Sequence, residues 1–261
     1  MIENCSKKDL DIAKILLDYL KETEDENSIL KGNLLKEEEK QFIFNDLNAF
    51  IIGLVADQSV KAEIAWSLPY KLAQRMGSFN ISEILNKYKV EDIENFIKTK
   101  PALHRYPSRM SNYIYNAFSD LYNIYNSDAQ NIWNGKTAAE IVDSLEKFKG
   151  ISHKKASLGT LLLVRDLGIN IIDKENIDIA YDIHIRRLFL RLGLVDKDIQ
   201  EEVLKAAQRL YPEFPGKLTT AFWTIGREIC RPTDPSCLIC PLYNCCDKKL
   251  EKTINLKYNF L

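Results

Sequence analysis

Five of the six cysteines fall between residues 230 and 246, in the run CRPTDPSCLICPLYNCC. A disulfide framework spreads its cysteines along a chain to staple distant loops, so crowding near one end points instead to a metal held by thiolates. Cys230, Cys237, Cys240 and Cys246 follow the spacing C-x6-C-x2-C-x5-C. Four thiolates this close in sequence can converge on a single [4Fe-4S] cluster. A tetrahedral zinc site is the plain alternative, although zinc ordinarily uses two short knuckles and only Cys237 to Cys240 has that form. A loop without metal is the third reading, and Cys245 can replace Cys246 as fourth ligand at the cost of one residue of spacing. Cys5 stands apart as an ordinary thiol.

Ahead of that loop the pattern is helical almost throughout. Apolar residues recur at helical spacing over roughly 8–21, 45–57, 60–76, 81–88, 91–98, 108–125, 137–148, 154–167, 183–192, 197–210 and 216–229. An acidic, polar loop is expected after the first of these, through about residue 34. The segment NDLNAFIIGLVAD (45–57) is apolar nearly all round, the mark of a helix buried inside a domain. Only a short stretch near Ile169 to Ile172 hints at a strand. With 261 residues, 46% hydrophobic and 28% charged, the chain has the makeup of a globular protein that buries about three quarters of its unfolded surface. No apolar run reaches the ~20 residues of a membrane span and the N-terminus lacks a signal peptide's apolar core, so a cytoplasmic protein is expected. Trp66, Trp133 and Trp223 are expected in the core.

A net charge of -1 argues against binding polyanions through bulk charge. Its distribution is uneven. Residues 1–50 hold 7 Lys against 12 Asp or Glu, whereas 147–191 hold 9 Lys or Arg against 5 Asp or Glu. That stretch is either a local basic surface or a solvated helix face. It begins with the segment Phe148-Lys149-Gly150-Ile151-Ser152-His153-Lys154-Lys155-Ala156 between two helices. Thr137 and Glu140 form a T-x-x-E capping box that opens the first helix, and Gly150 ends it. A tight Gly-Ile-Ser turn feeding a new helix points backbone N–H groups outward, which suits a phosphate. A plain helix-turn-helix corner with solvated lysines is the equal alternative. Further on, Tyr181-Asp182-Ile183-His184-Ile185-Arg186-Arg187 places an acid at a helix start. By itself Asp182 is most simply an N-cap, and His184 and one arginine can serve to anchor neighbouring helices.

Taken together and in this order, the hairpin, the Asp182 segment and the cysteine loop resemble the endonuclease III branch of the helix-hairpin-helix DNA glycosylase superfamily. The family's L-P-G-V-G-R-K-T-A hairpin corresponds to Phe148 through Ala156, and its V-D-T-H-I-F-R segment to Tyr181 through Arg187. Its G-R-x-x-C entry into the iron-sulfur loop corresponds to Gly226, Arg227 and Cys230, and its early S-A-Q-A-T-D segment looks like Ala56-Asp57-Gln58-Ser59. The similarity spans about residues 45–247. It implies an all-α, two-lobed fold with a carboxy-terminal iron-sulfur loop. A six-helix lobe is expected over 45–156, and a second lobe from 1–44 with 157–261 that carries the loop 230–246.

The resemblance further implies base-excision removal of a damaged or mismatched base from duplex DNA. Lys154 would be the Schiff-base nucleophile of a glycosylase with abasic-site lyase activity, and Asp182 its carboxylate partner. Cys230, Cys237, Cys240 and Cys246 would hold a structural [4Fe-4S] cluster. Gln58 would fill the gap left by an extruded base, and Gly150, Ser152, His153, Lys155 and Arg105 would contact DNA. The protein would act as a monomer associated with the nucleoid, with oxidised pyrimidines as the favoured lesions. Two alternatives stand beside this reading: a monofunctional glycosylase using water activated by Asp182, and a non-catalytic damage-binding module. The chain departs from the family at four points. Ser152 replaces the hairpin's second glycine, and an apparent insertion at Asn170 to Ile179, expected as a surface loop, separates Lys154 from Asp182. Arg231 is the lone basic residue between the first two loop cysteines, and Leu103-His104-Arg105-Tyr106 replaces the lesion-wedge region.

Overall fold

The computed structural model describes residues 6–250, apart from the side chains of 24–27, and among these residues it is helical with no strand. The chain divides into two compact units. One comprises Asp25–Ile172 and the other the described residues of Met1–Glu24 and Asp173–Leu261.

Within 25–172 the helices are α2 (Glu37–Asn45), α3 (Leu47–Ala56), α4 (Ala62–Met76), α5 (Ile81–Lys87), α6 (Val90–Lys98), α7 (Pro107–Tyr125), α8 (Ala138–Glu146) and α9 (His153–Arg165). Helix α3 is the axis of this unit, with Ala49 through Ala56 all buried. Phe50 packs on Trp66 and Trp133 at ring distances of 5.4 and 6.2 Å. The helix expected over 45–57 is α3, which begins only after Asp46, and the helix before it, α2, was not expected from the periodicity. Asp46 closes α2, and its carboxylate accepts from Asn48 N–H at 2.9 Å to open α3. Helix α2 itself has a start signal in Glu37-Glu38-Glu39, where the Glu39 carboxylate reaches back to Lys36 N–H at 3.0 Å.

The other unit holds most of α1 (Lys7–Asn27), which runs six residues past the expected end at 21, together with α10 (Ile183–Leu192), α11 (Gln200–Leu210) and α12 (Thr219–Thr224). Ile12, Leu16 and Leu20 of α1 share a core with Leu188, Phe189, Val203 and Phe222. The helix expected over 216–229 is three pieces: a 3-10 turn at Pro215–Leu218, α12, and a π turn at Ile225–Ile229. Its wide turn brings Gly226 against His184, where a Cβ would lie 2.8 Å from the His184 Cβ. No strand forms at 169–172. The inserted segment also differs from the surface loop expected of it: Ile177 and Ile179 are buried, and the Ile177 carbonyl accepts from Gly216 N–H at 2.8 Å. Its apolar side chains have a core to enter, so part of it is interior.

At the α8–α9 turn Gly150 adopts φ +90, and a Cβ there would run into the ring of Tyr113. Both the backbone region and the space exclude other residues. Gly150→Ala should therefore destabilise the protein by about 1–3 kcal/mol, read as a lowered urea midpoint at unchanged slope.

Candidate functional site

The hairpin forms as its sequence signals demand. Thr137 Oγ1 accepts from Glu140 N–H at 3.3 Å, while the Glu140 carboxylate accepts from Thr137 N–H at 2.9 Å. Ser152 is the N-cap of α9 with φ -88, so the position where the family has its second glycine requires no left-handed backbone. The positive φ falls on Gly150 alone within this turn. Ser152 makes no side-chain capping bond, which leaves its hydroxyl clear of the helix end. Ser152, His153 and Lys154 are all exposed on the first turn of α9 or just before it. His153 Nδ1 lies 2.8 Å from Glu146 Oε1, and Lys149 donates to Asn112 at 2.8 Å.

Lys155 behaves differently from Lys154. Its side chain turns inward, and Nζ donates to the Val55 carbonyl at 3.0 Å and to the Gly150 carbonyl at 2.9 Å. Burial pushes its ammonium down from the ordinary 10.5 to about 8, with the nearby Asp57 carboxylate opposing the shift. Asp57 is in turn pushed up by burial, against the pull of Lys155, the Trp66 indole N–H at 3.3 Å and Lys154. Gln58 rests on the same carbonyl as Lys155, its Nε2 donating to Val55 at 2.9 Å. His104 is buried beside them against the backbone of Ala56 and Gln58, and burial holds its pKa below the usual value. Next to it, the exposed Tyr106 ring carries the guanidinium of Arg105 at 5.3 Å and that of Arg109 at 5.4 Å. His104 and Tyr106 lie in the segment that stands where the family has its lesion wedge, whereas Asp57 and Arg109 were given no role of their own from sequence. The D-Q pair at the end of an all-apolar helix was the available signal for Asp57.

The folded protein releases the Lys155 proton near pH 8, whereas an unfolded lysine keeps it to about 10.5. Unfolding therefore takes up a proton between those values, and this group makes stability rise with pH across that window. Lys155→Met should flatten the rise, as measured by urea unfolding on either side of it.

Asp182 is the N-cap of α10, its Oδ1 accepting from His184 N–H at 2.8 Å and Ile185 N–H at 2.9 Å. The preceding Tyr181 donates its hydroxyl to Asp198 at 2.7 Å, and Arg186 donates to the same carboxylate at 3.0 Å. Burial, reinforced by Asp198, pushes the Tyr181 phenol up to about 12. The anchoring role open to one arginine belongs to two. Buried Arg187 donates to the carbonyls of Cys230 at 2.9 Å and Gly226 at 2.6 Å, and Arg191 to those of Arg231 at 2.7 Å and Pro232 at 2.8 Å. The cysteine loop is thus fastened to the helix that Asp182 begins. Trp223, expected in the core, is only half-buried, and its ring carries the Arg227 guanidinium at 4.6 Å.

Cys230, Cys237, Cys240 and Cys246 line one cavity with Leu188, Arg191, Ile229 and Leu242, and Cys245 is outside that lining. Arg191 Nη1 lies 3.3 Å from Cys230 Sγ, and Lys248 N–H donates to Cys246 Sγ at 3.3 Å. Burial, followed by the mutual charge of the other cysteines, raises Cys246 and pushes Cys240 up to about 11. Among the described residues no group of three His, Cys, Asp or Glu side chains is drawn together as around a single metal ion.

The described residues thus form two helical units, one carrying the α8–α9 hairpin and the other the cysteine loop fastened to α10. Among solved structures the chain is similar to a trapped endonuclease III–DNA covalent intermediate (estranged-adenine complex), with TM-score 0.63 and 18% identity over 94% of this chain and 98% of that one. It is also similar to a non-covalent endonuclease III–DNA complex, at 0.61 and 17% over 94% and 97%, and to a thermostable thymine-DNA glycosylase, at 0.65 and 13% over 94% and 98%. A curated relative, Endonuclease III of Thermotoga maritima, is 30% identical over 116 residues, 43% of this chain. The match spans about half the length of that relative. No protein-family model matches the chain. The endonuclease III-like resemblance read from the motifs is borne out by these likenesses.

Proposed function

We propose that this protein is a base-excision DNA glycosylase that opens duplex DNA at a damaged or mismatched base and uses Lys154 as a Schiff-base nucleophile. The observation that carries this reading is the α8–α9 hairpin. It offers a helix N-terminus with an unengaged Ser152 hydroxyl and an exposed Lys154, within a fold shared with endonuclease III held on DNA. A phosphate at that N-terminus meets backbone donors and the positive end of the helix dipole. Gly150, Ser152 and His153 line this approach, and Arg105 with Tyr106 supplies a cationic aromatic edge that suits an unpaired strand.

In the proposed reaction the neutral Lys154 amine attacks C1′ of the deoxyribose as the N-glycosidic bond breaks. The base departs with the bonding electrons and takes a proton. Asp182 stabilises the positive charge that develops on the sugar and accepts the proton released from the lysine nitrogen. The C1′–O4′ bond then breaks, the ring oxygen takes the proton held by Asp182 to become a hydroxyl, and the nitrogen lone pair forms a protonated imine with C1′. The imine acidifies the C2′ proton, whose removal expels the 3′ phosphate by β-elimination. Extrusion of the base costs a few kcal/mol, least where pairing is already weak. Oxidised pyrimidines are the proposed substrates, in a monomeric protein acting on DNA in the cytoplasm. No helix among the described residues is long and apolar enough to cross a membrane.

The four cavity-lining cysteines are proposed to hold a [4Fe-4S] cluster. A donor set made only of sulfurs, with N–H donors facing two of them, fits such a group. Its chemistry here is structural: it would close the loop that Arg187 and Arg191 fasten to α10, and glycosidic cleavage transfers no electrons.

Borohydride trapping on a panel of lesion-bearing duplexes tests the lyase mechanism. A covalent adduct on one lesion that disappears in Lys154→Ala is the expected result. Base release without any adduct, even on a plain abasic site, would replace it by Asp182-activated water, and DNA binding without base release by a damage-binding module. For the cluster, Cys245→Ser should retain about four irons per chain, while Cys246→Ser should lose them. Zinc in place of iron would overturn the assignment.

A further inference from the structure

Two donors share the Val55 carbonyl, and they come from opposite ends of the proposed chemistry. Gln58, the residue proposed to enter the duplex, donates to it at 2.9 Å, and Lys155, adjacent to the proposed nucleophile, donates to it at 3.0 Å. Val55 lies in the last turn of α3, where the helix has no further N–H to offer. Val55 and Ala56 are themselves buried, while Gln58 and Lys155 are half-buried, so without these two donors the carbonyl would have no protein partner in a largely enclosed place. The loop that follows is tightly coiled: Gln58 N–H folds back to Ala56 at 2.7 Å, and Ser59 takes a left-handed φ of 57. Such a conformation in a residue other than glycine has to be held by its neighbours. Asp57 on Trp66, His104 against the Ala56 and Gln58 backbone, and Lys155 on Val55 are those neighbours.

We propose that Lys155 is a positioning residue for Gln58. Its ammonium keeps the Val55 carbonyl occupied, so that Gln58 can exchange that carbonyl for the space left by an extruded base. This inference rests on the glycosylase reading. The second Lys155 bond, to the Gly150 carbonyl at 2.9 Å, ties the phosphate-facing turn to the same point. Docking of the backbone at the hairpin and release of Gln58 then share one anchor. Asp57 supplies the counter-charge that lets the ammonium stay inside. Two of the three Lys155 donors are engaged on these carbonyls, which leaves one for any other partner.

The test is a double-mutant cycle on base extrusion, followed by the fluorescence of 2-aminopurine beside an abasic-site analogue in a duplex. Wild type, Lys155→Met, Gln58→Ala and the double variant are compared, each first shown to unfold cooperatively in urea. Lys155→Met should slow extrusion about tenfold, the effect of one hydrogen bond to a charged donor, and should do so by less than about twofold when Gln58 is already alanine. An equal loss in both backgrounds would reduce Lys155 to general packing and overturn the proposal. The salt dependence of binding to undamaged duplex should be the same in wild type and Lys155→Met. A slope smaller by about one would make Lys155 a phosphate contact instead. Should Lys155→Met fail to fold, Lys155→Gln, whose shorter amide cannot span both carbonyls, takes its place in the cycle. Lysine acetylation of wild type adds a readout free of DNA, in which Lys155 must be labelled more slowly than Lys154. If wild type itself neither binds nor extrudes, the glycosylase reading has failed. If wild type extrudes and Lys155→Met matches it, only the role of Lys155 has failed.

Discussion

A helix buried on every side must end somewhere, and its last carbonyls cannot turn to water. Helix α3 is in that position, with Ala49 through Ala56 enclosed by α4, α7 and the aromatic rings of Phe50, Trp66 and Trp133. Much of the Asp25–Ile172 unit is arranged around the answer. Lys155 arrives from α9 and Gln58 folds back from the next loop, and both donate to Val55. Asp57 and His104 complete a polar knot at one end of an apolar core. Ionised groups are tolerated there because each faces a partner, and their shifted pKa values record the burial that remains uncompensated.

The other unit solves a related problem with arginine. A loop rich in proline and cysteine offers little helix or sheet bonding, so its carbonyls need donors from elsewhere. Arg187 and Arg191, one turn apart on α10, supply them through the planar forks that lysine lacks. Because Asp182 caps the start of the same helix, a loop held in place also holds that carboxylate's helix in place. Under the proposed function, this gives a redox-silent cluster a reason to exist: it would stiffen a segment too short to have a core of its own.

Much of this was legible in the sequence. The Thr137–Glu140 box, the Gly150 turn and the Asp182 cap depend on residues within four positions of one another, and each formed where its spacing placed it. Cys246 lines the cavity with the other three cysteines and Cys245 does not, a choice the spacing left open. Less legible were the break at Asp46, where one residue serves two helices, and the π turn at Gly226, which exists to admit His184 from another helix. The inserted 170–179 segment reads as a loop because its three buried isoleucines, Ile171, Ile177 and Ile179, follow no regular spacing.

Lys154 and Lys155 show the limit of the sequence most clearly. They are identical and adjacent, and the local pattern did not separate them; only the family resemblance assigned the nucleophile's role to Lys154 and a DNA contact to Lys155. Successive positions on a helix point about 100° apart, so one lysine emerges from the surface while the other meets the end of α3. By itself the sequence determined where the capped helices α8 and α10 start and that the crowded cysteines lie close enough to share a metal, because those depend on local spacing. Tertiary structure alone decided which lysine is exposed and which arginines fasten the loop. Each of those depends on a partner many residues away in the chain.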